Sequence, residues 1–249
     1  METLPYLKKL TVKRDKVENF GAYPFSIPAV ANLEAVDFNS DVTFFVGENG
    51  SGKSTLIEAI AVAMGFNPEG GTKNFNFGTR ESHSKLHEYI RLSKSYVKPK
   101  DGFFLRAESY FNVASNIEAL DSEPGFSPPV INSYGGVSLH EQSHGESFMA
   151  LMLNRFGGKG LYILDEPEAA LSPTRQLTVL SRMKQLVDDE SQFVIATHSP
   201  ILLAYPGATI YKIDKTGVGQ VSYEETEHYQ VTRSFLENPD RMIAELFAE

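Results

Sequence analysis

An α/β fold built on a mostly parallel sheet, with an inserted lobe of short helices and loops, is the architecture this sequence predicts. Three observations lead there. Strand-like and helix-like segments alternate at both ends of the chain, the pattern in which helices cover a parallel sheet. A glycine-rich loop stands between a β-rich run and a helical run, the setting in which such loops hold phosphate. From about residue 67 to 129 the periodicity is broken by Gly70, Gly71, Gly78, Pro99, Pro124, Pro128 and Pro129, as expected of an insertion. The 249 residues then make one domain, with a core lobe at about 1–66 and 158–249 and the inserted lobe at about 67–157.

The elements follow in order. Residues 41–46 form a short β-rich run that stops at Gly47, and Leu56, Ile57, Ile60, Ala61 and Met64 then recur at helical spacing until Gly65. Residues 103–109 read as a strand entering the inserted lobe, with Phe103, Phe104, Tyr110 and Phe111 as core rather than a base-stacking platform. Phe148, Met149, Met152, Leu153 and Phe156 repeat the helical offsets in a helix that begins at about Gly145. Residues 161–164 are a buried strand that ends in an acidic pair. Ser172 and Pro173 suit the cap and first turn of a helix reaching about Val187, followed by a strand at 193–196 and a turn at Ser199-Pro200. Further strands are expected at 209–213 and 218–223, and Asn238-Pro239 opens a last helix carrying Met242, Ile243, Leu246 and Phe247. No solenoid repeat or sustained heptad interrupts the scheme.

Composition sets the class. Hydrophobic residues at 41% and charged residues at 22% match a folded globular chain, and 19 Gly and 13 Pro are too few for low complexity. With no Cys there is no disulfide framework, cysteine zinc site or thiol nucleophile, so the cytoplasm is the expected compartment. No apolar run approaches the ~18 residues of a membrane span, and membrane insertion is not expected. Twenty-three basic against 32 acidic side chains give a net charge of −9, which argues against a general polyanion binder. Lys8, Lys9, Lys13, Arg14 and Lys16 cluster near the N-terminus as a solvated strand edge, whereas Glu224, Glu225 and Glu227 make the later chain acidic.

The chemistry concentrates at three strand ends. Gly47-Glu48-Asn49-Gly50-Ser51-Gly52-Lys53-Ser54 fits the phosphate-binding loop. Its glycines let successive backbone N–H groups face one anion, and the helix start adds a positive dipole end. Lys53 would reach the β and γ phosphates, Ser54 would ligate magnesium, and Thr55 would contact the α-phosphate. Such a loop needs a carboxylate for the metal and a group that orients water. Asp165 and Glu166 emerge where open α/β sheets place ligands, Asp165 for the metal and Glu166 for the water proton. His198 follows the strand at 193–196 on the same rim and would contact the γ-phosphate. Two rival readings use nearby residues. His140-Glu141-Gln142-Ser143-His144 spells the HExxH of zinc peptidases, but both His must share a continuous helical face, and Ser143 is a good helix cap. His83 and His87, four apart beside Glu88, suit a solvated helix face. Lys212-Ile213-Asp214 offers the Lys-x-Asp of guanine readers, but Tyr211 stands where Asn or Thr is expected.

Phosphate loop, Asp165-Glu166-Pro167-Glu168-Ala169-Ala170-Leu171-Ser172, and Ala196-Thr197-His198-Ser199 together resemble the ATP-binding-cassette (ABC) ATPase series in its usual order. The family's Leu-Ser-Gly-Gly-Gln/Glu signature loop is resembled by Gln142-Ser143-His144-Gly145-Glu146, where Ser143, Gly145 and Glu146 match and Gln142 and His144 depart. The resemblance runs from about Leu4 to Asp214. It implies a head-to-tail homodimer formed on ATP binding, with ATP and magnesium between the phosphate loop of one chain and Ser143, His144, Gly145 and Glu146 of the other. The family's linking Gln is missing between Thr55 and Glu141, and Glu108 would take that place at the metal; the alternative is a strand-end carboxylate paired with Arg106.

The signature loop looks more like the soluble chromosome-maintenance and recombination-repair branch than a transporter engine. The stretch from Ser54 to Ser143 is too short for a long coiled coil, and the chain would be a compact stand-alone member, similar to small predicted bacterial ATPases. Three roles stay open: an ATPase in DNA maintenance, repair or defence, a nucleotide-gated module that captures a partner protein, and the nucleotide-binding subunit of a transporter.

Overall fold

The computed structural model describes residues 5–73, 84–106, 110–122 and 128–248. The first part of the chain comprises β1 (Leu7–Val12), α1 (Pro28–Ala31), β2 (Ala35–Asp37), β3 (Val42–Gly47) and α2 (Lys53–Ala63). Next come α3 (Leu86–Tyr89), β4 (Ile90–Lys94), β5 (Asp101–Arg106), α4 (Tyr110–Ser122) and α5 (His144–Ala150). The last part holds β6 (Gly160–Asp165), α6 (Pro173–Asp188), β7 (Gln192–Ala196), α7 (Pro200–Leu203), β8 (Thr209–Asp214), β9 (Gly217–Val221), α8 (Glu227–Glu237) and α9 (Pro239–Phe247).

Six strands form the main sheet in the order β5-β6-β7-β3-β8-β9, parallel except for the β8–β9 pair. Side chains alternate across it with the two-residue period of a strand. Phe44, Tyr162, Leu164, Phe193 and Ile195 enter one core with Ile117, Phe148, Val179 and Met183. Phe45, Leu161, Ile163, Val194 and Ala196 enter the other with Leu56, Ile57, Ile60 and Leu10. Both faces are therefore covered, which explains why β3, β6 and β7 read as unbroken apolar runs.

Two features depart from the sequence expectation. Residues 101–106 do not leave the core for the inserted lobe: β5 lies against β6 as the sheet edge, pairing Arg106 with Asp165. Its alternating Phe103 and Phe104, both fully buried, need a covered sheet on either side, and that outweighs the Gly and Pro punctuation around them. The basic N-terminal segment belongs to a second, three-stranded antiparallel sheet, β2-β1-β4. Lys9 meets Asp37 at 3.1 Å and Lys13 donates to the Glu88 carbonyl, so part of this charge is spent within the sheet. The side-chain amide of Gln192 clasps Leu7, accepting from its N–H and donating to its carbonyl, and joins the two sheets.

The rim opposite the strand carboxyl ends is held by Asp101. Its carboxylate accepts from Arg155, the Gly157 N–H and the Tyr162 hydroxyl. Burial alone would raise its pKa, but the Gly157 N–H, the Arg155 guanidinium and the Tyr162 hydroxyl outweigh it and hold the group below its ordinary value of 3.8. A depressed folded pKa stabilises the native state above the unfolded value, and that contribution is lost as pH falls through the folded pKa. Asp101→Asn is therefore expected to lower stability near neutrality and to flatten the acid limb below about pH 4, measured by urea unfolding across pH. An acid limb as steep as that of the parent would contradict this.

Candidate functional site

Four strand ends bring the predicted chemistry to one rim. Phe45 pairs with Ala196, Asp165 with Ala196 and Arg106 with Asp165, so β7 lies between β3 and β6 and the segments that follow each strand are neighbours. The loop after β3 turns through Gly47, Glu48, Asn49, Gly50 and Ser51 into α2. Gly52 caps that helix with φ at 98°, and a Cβ there would lie 2.9 Å from the Ala29 Cβ, so glycine is required on both counts. The first-turn amides of α2, including those of Lys53, Ser54 and Thr55, have no partner one turn earlier and lead at this rim.

Lys53 is buried, with its ammonium donating to the carbonyls of Gly47 and Glu48 at 2.8 and 3.0 Å. Burial pushes its pKa down, against the opposing pull of Glu166, Asp165 and Glu168. Across 111 residues of sequence, the Ser54 hydroxyl donates to Asp165 Oδ1 at 3.1 Å. Ser54 and Asp165 thus stand side by side as oxygen donors, the set that suits magnesium completed by phosphate oxygens. The buried hydroxyl of Ser51 has no hydrogen-bond partner among the described residues, which leaves it available to a phosphate oxygen. The residues present fit an ATP–magnesium unit.

Glu166 adopts a left-handed conformation (φ 50°, ψ 53°), of the kind a β-carbon resists by about 1–3 kcal/mol. Its N–H is tied to the Ala196 carbonyl at 2.9 Å, and its carboxylate lies 3.6 Å from His198 Nε2. The His198 backbone N–H donates to Glu168 at 2.5 Å, which ties the segment after β6 to the segment after β7. Here the sequence reading missed a residue. His228, on α8, sits 3.0 Å from His198 Nδ1 through its own Nε2. With Gly47, Glu48, Asn49 and Val231 it lines a cleft of about 360 Å³. Burial and the neighbouring His198 and Lys53 lower its pKa, against Glu227. The overlooked signal was local: Thr226 caps α8 through the Tyr229 N–H, and Val231 and Phe235 follow at helical spacing inside a segment that reads as merely acidic.

Ser143, His144, Gly145 and Glu146 open α5. Ser143 is the cap, accepting from the Glu146 N–H while the Glu146 carboxylate accepts from the Ser143 N–H and hydroxyl at 3.0 and 2.6 Å. These bonds hold the Glu146 pKa below its ordinary value. His144 is exposed, and Gly145 is buried where a Cβ would lie 2.5 Å from the Ala170 carbonyl. Gly145 therefore lets α5 lean on the segment after Glu166. Because the helix starts at His144, His140 precedes it and does not share its face; His140 instead meets Ser115 at 3.0 Å, and the arrangement a zinc peptidase needs is not formed. Glu108 and His83 lie outside the described residues. Arg106 pairs with Glu58 at 2.8 Å.

Known proteins resemble parts of this chain. A family model described as "AAA domain" matches residues 16–126, and one described as "AAA domain, putative AbiEii toxin, Type IV TA system" matches residues 129–204. The energy-coupling factor transporter ATP-binding protein EcfA2 of Methanospirillum hungatei is 26% identical over 205 residues, 75% of this chain and 49% of that protein. Structural maintenance of chromosomes protein 6B of Arabidopsis thaliana is 29% identical over 150 residues, 60% of this chain and 11% of that protein. The chain spans half or less of the length of these relatives. Among solved structures, an ATP-binding cassette of an ABC transporter in its ADP conformation shares the fold with a TM-score of 0.50 at 18% identity, covering 99% of either chain.

Proposed function

We propose that this chain is an ABC-type ATPase of the chromosome-maintenance and recombination-repair branch, which binds ATP with magnesium and hydrolyses it as a head-to-tail homodimer. The observation that carries this is the 3.1 Å contact between Ser54 and Asp165, which joins the phosphate loop to the strand-end carboxylate across the sheet. Magnesium, when bound, neutralises phosphate charge as the γ-phosphoryl group departs. Lys53 holds the phosphates, Glu166 orients the attacking water and accepts its proton, and His198 faces the γ-phosphate from the rim of β7. Ser143, Gly145 and Glu146 would close over a nucleotide held by a second copy. Loss of the γ-phosphate removes contacts that favour closure, so the open and closed dimers form a switch.

The switch serves DNA maintenance, repair or defence in this reading. The test is ATP turnover and size-exclusion mass with ATP–magnesium and with ADP, each with and without duplex DNA. A dimer with ATP and faster turnover with DNA at low salt are expected, and the DNA effect should fade as salt rises. A monomer under every nucleotide condition would refute the dimer. The likeness to a transporter ATP-binding protein over 75% of the chain favours a second reading, a subunit that powers a membrane partner, and co-purification with a membrane protein would decide for it.

A further inference from the structure

We propose that His228 is a positioning residue for His198: from helix α8 it fixes which ring nitrogen of His198 carries the proton, so that Nε2 presents an N–H toward Glu166 and the γ-phosphate position. The inference rests on the ATPase reading above. His198 Nδ1 and His228 Nε2 are 3.0 Å apart, so in a neutral pair one ring donates and the other accepts. Two arrangements satisfy the bond. If His198 donates from Nδ1, its Nε2 becomes a bare acceptor 3.6 Å from the Glu166 carboxylate, two lone-pair groups facing each other. If His228 donates from Nε2, the proton of His198 sits on Nε2 and points at the carboxylate side, where attraction replaces repulsion. The second arrangement is favoured, and it leaves His198 ready to donate to an anionic oxygen.

Burial sharpens the choice. His198 Nε2 and His228 Nδ1 are both buried with no hydrogen-bond partner among the described residues. Nε2 of His198, 3.6 Å from the Glu166 carboxylate, therefore has its hydrogen-bond capacity unspent, and His228 Nδ1 can remain an acceptor while its Nε2 donates. The His198 backbone is held independently by Glu168, so the ring's proton placement is what His228 adds. Because His228 rides on α8, the bond also ties that helix to the phosphate end of the site, through the cleft shared with Gly47, Glu48 and Asn49.

The test separates this role from packing. His228→Met keeps bulk and removes the donor, whereas His228→Gln keeps a side-chain N–H donor. Imidazole ¹⁵N shifts of the full chain without nucleotide should show His198 protonated at Nε2 in the parent and in His228→Gln, and a mixed or Nδ1–H ring in His228→Met. Turnover at saturating ATP should fall about tenfold in His228→Met with KM little changed, as for loss of a partner that orients a functional histidine, and be largely restored in His228→Gln. His198 remaining protonated at Nε2 in His228→Met, or equal loss of turnover in both variants, would overturn the proposal. A parent chain without ATPase activity would overturn the function on which it rests, and the imidazole shifts would still decide whether His228 sets the proton.

Discussion

Glu166→Gln is expected to keep ATP bound, to slow hydrolysis by about 10²- to 10⁴-fold, and to accumulate the ATP-bound dimer. The substitution isolates charge. Gln has the same β-carbon, so the left-handed backbone at φ 50° and the bond from the residue 166 N–H to Ala196 are retained. What is lost is a carboxylate able to take a proton from water. Glu166 also faces His198 Nε2 at 3.6 Å, and the amide can accept there, so His198 keeps a neighbour. Lys53, Ser54 and Asp165, which would hold nucleotide and metal, are left in place. Turnover by phosphate release and mass by light scattering after size exclusion check the two halves of the prediction. Unchanged turnover would remove Glu166 from the reaction. A block in turnover with no dimer would keep the base and refute the sandwich.

Much of this site was legible because each part is local. The phosphate loop is a contiguous motif between two periodic elements, and the apolar strand that ends in Asp165 and Glu166 is visible as a short run. The sequence could not supply the partners those parts meet. That Ser54 touches Asp165 follows from β3 and β6 flanking β7, an order no spacing reveals. Pairing of β1 with β4 spans some eighty residues of chain, and the Gln192 clasp on Leu7 spans 185, so the second sheet had no short-range signature. The Gly and Pro around residues 103–109 favour a strand that enters the inserted lobe, whereas burial on both faces holds residues 101–106 in the main sheet of the folded chain. His228 was hidden for a further reason. Val231 and Phe235 do recur at helical spacing behind the Thr226 cap, but Glu224, Glu225 and Glu227 make the segment read as a solvated acidic run, and nothing local links it to the strand ends 30 residues away.

Lys53→Ala should reduce ATP affinity by about 10- to 100-fold, from the loss of roughly 1.5–3 kcal/mol that a hydrogen bond to a charged group contributes. The side chain competes with itself. Its ammonium donates to the carbonyls of Gly47 and Glu48, so phosphate competes with those bonds, and the net effect is smaller than an isolated ion pair would give. Burial lowers the Lys53 pKa, yet Glu166, Asp165 and Glu168 pull the other way, and an arriving triphosphate adds negative charge on the same side. Phosphate therefore strengthens the charged form just where the loop alone would weaken it. Alanine removes that gain and also leaves two loop carbonyls without their donor, which loosens the turn that presents the amides of α2. Titration calorimetry with ATP and with adenosine distinguishes the causes: Lys53→Ala should weaken ATP strongly and leave adenosine unchanged. Equal weakening of both ligands would mean that the loop had collapsed and that Lys53 acts on the fold rather than on the phosphates.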